Sequence, residues 1–332
     1  MPRRAGSPIE PRSNRGVSPP SRPSRSSEML EWALTPGTVR RYRDQVMKFL
    51  QWTIDNDEDA QTEDELDDIL LDYVWHLHES GAGKTAASHV LYGIVLYLPQ
   101  LKYSLFRTRR AIKGWNKREP GESYPPMTWE LAQLVAIHLR HSGKFRDGHR
   151  MSVAVLLAFD CLLRIGELLN LRPEDVADSG DGRIGAEHRG LILRLRQTKT
   201  GPNKEVSVEH PVVVALLREL VRNTRRGSYL FPFNKSTFRA RFKRACAQLR
   251  LSPDYVVHSL RHGGATRYRH VLKWSVEDVM ERGRWASTKS TRRYIQSLRA
   301  MILAINVPSD ISKLALEFAK DLELYMTLPQ KH

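Results

Sequence analysis

His258 and Arg261 in "VVHSLRHGGATRYRH" stand three residues apart, so a helix would set them on neighbouring positions of one face. Downstream lie Trp285 in "GRWAS" and Tyr294 in "STRRYIQS". Upstream, Arg164 follows an apolar helical pattern in "CLLRIGELLNL", and Lys199 ends a strand-like run in "RQTKTGPNK". The chemistry open to these residue types is that of an anion. Guanidiniums are permanent, fork-shaped cations suited to phosphate oxygens, an imidazole takes a proton near neutrality, and an ammonium gives one. Taken singly, each residue also has a plain structural reading: Arg164 fits a surface helix, Trp285 a core, and Tyr294 any buried aromatic position.

Bringing residues 164 to 294 together needs a folded domain around them, and the patterning supplies one. Residues 117–127, "KREPGESYPPM", read as a linker, and Thr128 can cap the helix that follows. From 128 to 332 the spacing is mostly helical. The exception is "LILRLRQTKTGPNKEVSVEH" (191–210), which predicts two strands around a Gly-Pro-Asn turn. The last stretch, "SDISKLALEFAKDLEL", places Ile311, Leu314, Ala315, Phe318 and Leu322 on one face of an amphipathic helix, with docking on a neighbouring chain and packing within its own both open. Residues 29–116 form a second, helical region. Thr35-Pro36 caps "GTVRRYRDQVMKFLQWTI", whose Val39, Tyr42, Val46, Phe49 and Leu50 share a face. Residues 1–28, rich in Pro, Ser and Arg, read as a disordered basic tail. The expected fold class is mainly α with a small β-sheet (α+β).

Two other stretches imitate ligand sites and fail. "HESGAGKTAASH" ends in Gly83-Lys84-Thr85 like a phosphate loop, but His78 occupies the first glycine position and the preceding segment has helical spacing. It predicts a helix end at Gly81 and Gly83 and then a new helix, which excludes an NTPase and leaves Lys84 as a candidate DNA-backbone contact. Asp55, Asp57 and Asp59 alternate as in a calcium loop, yet Ala60 and Leu66 stand where glycine and the terminal glutamate belong. Thr62 with Glu65 is a capping box instead. No Cys/His or carboxylate cluster has metal-ligand spacing, so neither a metal nor a cofactor is expected.

Lys plus Arg number 53 against 37 Asp plus Glu, a formal charge of +16. Such an excess favours a polyanion, and double-stranded DNA is the expected partner. Arg40, Arg41 and Arg43, off the apolar face of their helix, and Arg239, Arg241, Lys243 and Arg244 in "STFRARFKRACAQLRL" are the expected phosphate contacts. Two cysteines, Cys161 and Cys246, make no disulfide framework and fit a reducing interior. With no apolar run of membrane length and no secretory h-region, the expectation is an intracellular protein associated with DNA, in a nucleus or nucleoid.

The ordered blocks "LLRIGELLNL", "HSLRHGGAT" and "GRWASTKSTRRYI" resemble the tyrosine recombinase (phage integrase) family across roughly residues 30–300, and the GRW block is similar to recombinases of eukaryotic mobile elements. The resemblance implies a helical core DNA-binding domain at 29–116 and a catalytic domain at 128–332, working as four protomers on two duplexes. It makes Tyr294 the nucleophile, Arg164 and Arg261 the grip on the scissile phosphate with His258 beside them, and Lys199 the acid at the leaving oxygen. Trp285 takes a slot where many members have histidine, and Glu167 supports Arg164. Elementary chemistry agrees: a phenol of pKa ~10 needs help to attack, and a departing 5′-oxygen needs a proton. Gly263-Gly264 and Arg282 depart from the usual pattern, where bulkier and apolar residues are common. A topoisomerase of the related tyrosine type and a noncatalytic DNA binder are the alternatives.

Overall fold

The computed structural model describes residues 25–121, 123–142, 147–178, 190–198 and 201–328, and within them the chain divides into two units, Met1–Glu122 and Ser123–His332. Most of the expected tail, and Lys199, lie outside the described residues. No helix among the described residues is long and apolar enough to cross a membrane.

The first unit is helical: α1 (Arg25–Glu31), α2 (Pro36–Asp55), α3 (Glu63–Glu79), α4 (Lys84–Tyr97) and α5 (Phe106–Arg118). Short-range chemistry starts two of these helices. Thr35 accepts from the Thr38 N–H ahead of Pro36, and Thr62 with Glu65 closes a reciprocal cap. Phe49, Leu70, Tyr73, Val90 and Leu91 fill the core, whereas Leu50, on the same apolar stripe, is exposed. α3 leaves its axis through Gly81, whose φ of 70° favours glycine, and Gly83 caps α4. The Lys84 stretch is thus a turn between helices.

The second unit opens with part of the expected linker already folded into it. Pro125, Pro126 and Met127 are buried, and the Met127 N–H donates to Ser259 O (3.1 Å). Thr128 then caps α6 (Trp129–His141), which pairs with α7 (Gly148–Asp160) at the centre of the core. The short α8 (Ile165–Leu169) leads to an antiparallel sheet in the order β1 (Val176–Asp178), β2 (Leu191–Thr198), β3 (Gly201–Val208). Leu191, Leu193 and Leu195 alternate inward and Arg194 and Arg196 outward, which fixes the register. That register pairs Thr198 with Gly201, so Gly201, Pro202 and Asn203 belong to β3 and not to the turn expected there.

Then follow α9 (Pro211–Arg222), α10 (Lys235–Gln248), α11 (Val257–His270), α12 (Val276–Gly283), α13 (Thr288–Arg292), α14 (Ser297–Ile305), α15 (Ser309–Lys320) and α16 (Leu322–Thr327). The expected C-terminal helix breaks after Lys320. Its apolar face packs on α6 within the same chain, burying Ile311, Ala315 and Leu322. Gly263 and Gly264, which weaken a helix by about 1 kcal/mol each, have a packing reason here. A Cβ on Gly263 would overlap the Met127 carbonyl, and one on Gly264 the Phe159 carbonyl and the Leu162 side chain. Without those Cβ atoms α11 lies directly on the backbone ahead of α6 and on that at the end of α7.

Candidate active site

The last carbonyls of a helix lack helical partners and carry partial negative charge, so they attract cations. Three arginines meet that need at the end of α7. Arg282 donates through Nε and Nη2 to Asp160 O (3.1 and 2.8 Å). Arg284 donates to Cys161 O (3.3 Å) and Leu162 O (2.8 Å). Arg261, wholly buried, donates to Leu162 O and to Gly283 O. Leu162 and Arg284 both sit in the left-handed region (φ 49° and 54°), a strain of about 1–3 kcal/mol each that recurs at functional sites.

Glu167, on the first turn of α8, collects three of the neighbouring guanidiniums. Its carboxylate meets Arg164 Nη1 at 2.6 Å, Arg284 Nη2 at 3.0 Å and Arg261 Nη1 at 3.9 Å, and accepts the Arg164 main-chain N–H at 2.9 Å. Burial pushes its pKa up, but Arg284, the Arg164 N–H, Arg261 and the Arg164 side chain together outweigh that and hold it below its ordinary value. Burial, with Arg164 and Arg284 nearby, lowers the pKa of Arg261; a guanidinium nonetheless stays charged near neutrality.

Tyr294 lies in the turn between α13 and α14, its hydroxyl 3.4 Å from His258 Nε2. Its ring stacks on His262 (centroids 4.3 Å, 27°) and leans on Trp285 (4.6 Å), while the Arg261 guanidinium covers both Trp285 (4.5 Å) and Tyr294 (5.6 Å). Trp285 is buried, with an Nε1–H that has no hydrogen-bond partner among the described residues. Burial, Arg261 and Arg164 bring the His258 pKa down to about 4 against an opposing pull from Glu167, so its ring is neutral near pH 7. The structure therefore brings together Arg164, Glu167, His258, Arg261, Trp285 and Tyr294. The arrangement combines cationic donors, an unsatisfied N–H and a neutral imidazole beside a phenol.

The other expected contacts divide. Arg239 and Lys243, one turn apart on α10, line a cleft of about 520 Å³ with Tyr124, Ile165 and His258, which places them beside the site. Arg241 points elsewhere, towards Met151 Sδ (3.7 Å), and Arg244 is exposed outside that cleft. In the first unit Arg40 and Arg41 are exposed, Arg43 is paired with Glu31 (3.1 Å), and Lys84 donates to the Glu119 carbonyl at the end of α5. Cys161 and Cys246 are buried thiols whose pKa values burial raises, the latter to about 12.

Sequence reasoning missed Arg284, His262, Tyr124 and the Leu162 carbonyl. His262 had a usable signal, being four residues after His258 and so on the same helical face. Arg282, an oddity in the sequence, sits between the Asp160 carbonyl, Ser207 Oγ (3.3 Å) and the Tyr268 ring (4.4 Å), which an apolar residue could not bridge.

Among known proteins, the phage integrase family profile matches residues 130–301. An integrase of Mycobacterium phage D29 is 31% identical over 144 residues, 38% of this chain and 37% of that protein, so the chain spans well under half of the curated relative it matches. The Tn1549 transposon integrase, solved with circular intermediate DNA, aligns over 80% of this chain and 98% of that one at 13% identity, with a TM-score of 0.50. The XerA recombinase aligns over 89% and 95% at 18% identity, with a TM-score of 0.39.

Proposed function

Because the chain belongs to the phage integrase family, we propose that it is a site-specific DNA recombinase that cuts and rejoins strands through a 3′-phosphotyrosyl intermediate. One observation carries the reading: the Tyr294 hydroxyl stands 3.4 Å from His258 Nε2, beside the guanidinium set that shares Glu167. A binding surface has no use for that pairing.

Arg164 and Arg261 hold the nonbridging oxygens of the scissile phosphate and stabilise the charge that builds on them. The Trp285 Nε1–H, without a partner among the described residues, donates to one of those oxygens. Tyr294 Oη bonds to phosphorus, the bond to the 5′-oxygen breaks, the phenolic proton passes to His258, and Lys199 protonates the departing oxygen. A bound phosphate screens His258 from Arg261 and Arg164, raising its pKa and making it a better base as the complex forms. Attack by a second 5′-hydroxyl reverses the step. Bond energy is kept in the phosphotyrosyl ester, so the scheme draws on neither ATP nor metal.

Arg239 and Lys243 hold phosphates flanking the cut, and Arg40 and Arg41 serve the first unit's DNA contact, giving affinity that falls with salt. Exchange between two duplexes takes four protomers. The exposed Leu298, Met301, Ile302 and Ile305 of α14, just after the nucleophile, support a contact between them. A DNA substrate supports work in a nucleus or nucleoid, and the Gly283-Arg284-Trp285 block supports kinship with recombinases of eukaryotic mobile elements.

The test is to express the wild type and Tyr294→Phe in cells, lyse in SDS and sequence DNA covalently held by the protein. Adducts at a shared sequence, present only in the wild type, are expected. Scattered sites would mean a topoisomerase, and DNA bound without adducts a noncatalytic binder.

A further inference from the structure

We propose that His262 and Thr266 are positioning residues for the nucleophile, a clamp by which α11 fixes both the ring and the main chain of Tyr294. The inference rests on the recombinase reading, since it assigns these residues a task only if Tyr294 attacks phosphorus.

The two residues lie one helical turn apart and face the Tyr294 turn together. His262, almost fully buried, stacks its ring on the phenol at 4.3 Å and 27°. Thr266 holds the backbone from Tyr294 to Gln296. Its hydroxyl donates towards Tyr294 O (3.2 Å), shared with His262 O (2.9 Å), and accepts the Gln296 N–H (3.1 Å). The Gln296 side chain closes the arrangement, donating to Arg293 O (2.6 Å) and Ser123 Oγ (2.7 Å) and reaching His262 Nδ1 at 3.4 Å. His258 meets the edge of the same imidazole (5.1 Å), and Tyr124 stands across it (6.4 Å).

A turn between two short helices is ordinarily a poor place to hold a reactive atom, because few contacts resist its movement. Here the turn is tied to the helix that also carries His258 and Arg261, so base, phosphate grip and nucleophile share one rigid frame. Burial and the neighbouring His258 and Arg261 lower the His262 pKa to about 3, so the stacked ring stays neutral and adds no charge beside the phenol. Among the described residues the Tyr294 hydroxyl pairs with His258 and not with His262, which suits a positioning residue and not a second base.

The test uses the full chain and a duplex carrying the sequence most often recovered in wild-type adducts. His262→Ala and the near-isosteric Thr266→Val should each slow single-turnover adduct formation about 10–100-fold, the scale of a small misplacement, with duplex binding unchanged. His262→Phe, which restores a flat ring, should recover most of the rate. Combined with Tyr294→Phe, the same substitutions should leave strand cutting by added hydrogen peroxide unchanged, because hydroperoxide replaces the phenol and draws on the phosphate grip and the leaving-oxygen acid but not on the Tyr294 turn. Parallel loss of peroxide cutting, or an unaltered adduct rate, would overturn the clamp. Failure of the wild type to form any adduct would instead overturn the recombinase reading beneath it.

Discussion

Two buried carboxylates flank the end of α7, and both bind arginine, but in opposite proportions. Asp160 and Glu209 are both within reach of Arg282, at 3.8 and 3.5 Å. Asp160 also accepts the Tyr268 hydroxyl (2.8 Å) and the main-chain N–H groups of Glu209 (2.9 Å) and His210 (3.3 Å). Charges and hydrogen bonds there are matched, and the result is a clamp between α7, β3, α11 and α12. Glu167 is instead shared by Arg164, Arg261 and Arg284. Burying cations in excess of carboxylate costs stability; the Cys161, Leu162 and Gly283 carbonyls offset part of that cost, and an arriving phosphate, on the proposed reading, would offset the rest. Similar residues, one helix end apart, are a structural bolt on one side and the proposed phosphate site on the other.

The largest effect should come from Glu167→Gln, which leaves Arg261 and Arg284 buried beside an uncharged side chain. Denaturant unfolding should show a loss of about 3–5 kcal/mol, the scale for breaking a buried ion pair from one side. Arg164→Lys, by contrast, should change stability little and slow adduct formation about 10²–10³-fold, since an ammonium cannot replace a fork-shaped donor at the developing charge. A stability loss as large as that of Glu167→Gln would make Arg164 a structural residue. Asp160→Asn should cost about 1–3 kcal/mol in unfolding experiments, yet leave adduct formation per folded molecule near wild type. A selective loss of cutting would erase the division between the two clusters.

Protons give a test spread over a pH range instead of a single substitution. His258 and His262 have native pKa values near 4 and 3, against ordinary values near 6.5. Between pH ~6.5 and ~4 the unfolded chain therefore binds protons that the native protein refuses. Stability should fall as pH is lowered through that window, by up to about 1.4 kcal/mol per pH unit for each histidine. Glu167, held below its ordinary value, adds a loss of the same sign at lower pH. His262→Gln should flatten the upper part of the curve measured by thermal unfolding, and an unchanged slope would place the titration elsewhere.

What was legible in the sequence was what is local. Thr35, Thr62 with Glu65, and Thr128 act on N–H groups three residues away, so their caps follow from spacing alone. The convergence of Arg164, His258, Arg261, Trp285 and Tyr294 was legible only through ordered motif blocks, because no pairwise spacing relates residues so far apart. Arg284 was hidden for the same reason: its partners at Cys161, Leu162 and Glu167 meet it only after folding. Gly263 and Gly264 showed their helix-weakening side and concealed the close approach they allow. The Gly-Pro-Asn stretch misled because turn preference is weaker than the register set by Leu191 and Leu193 opposite Val208 and Val206.

The most direct measurement is to digest a purified covalent adduct with nuclease and then trypsin and to locate the residual nucleotide by mass spectrometry. The account predicts it on the peptide "YIQSLR", residues 294–299, attached through Tyr294. A nucleotide on any other side chain, or an adduct that persists in Tyr294→Phe, would contradict it.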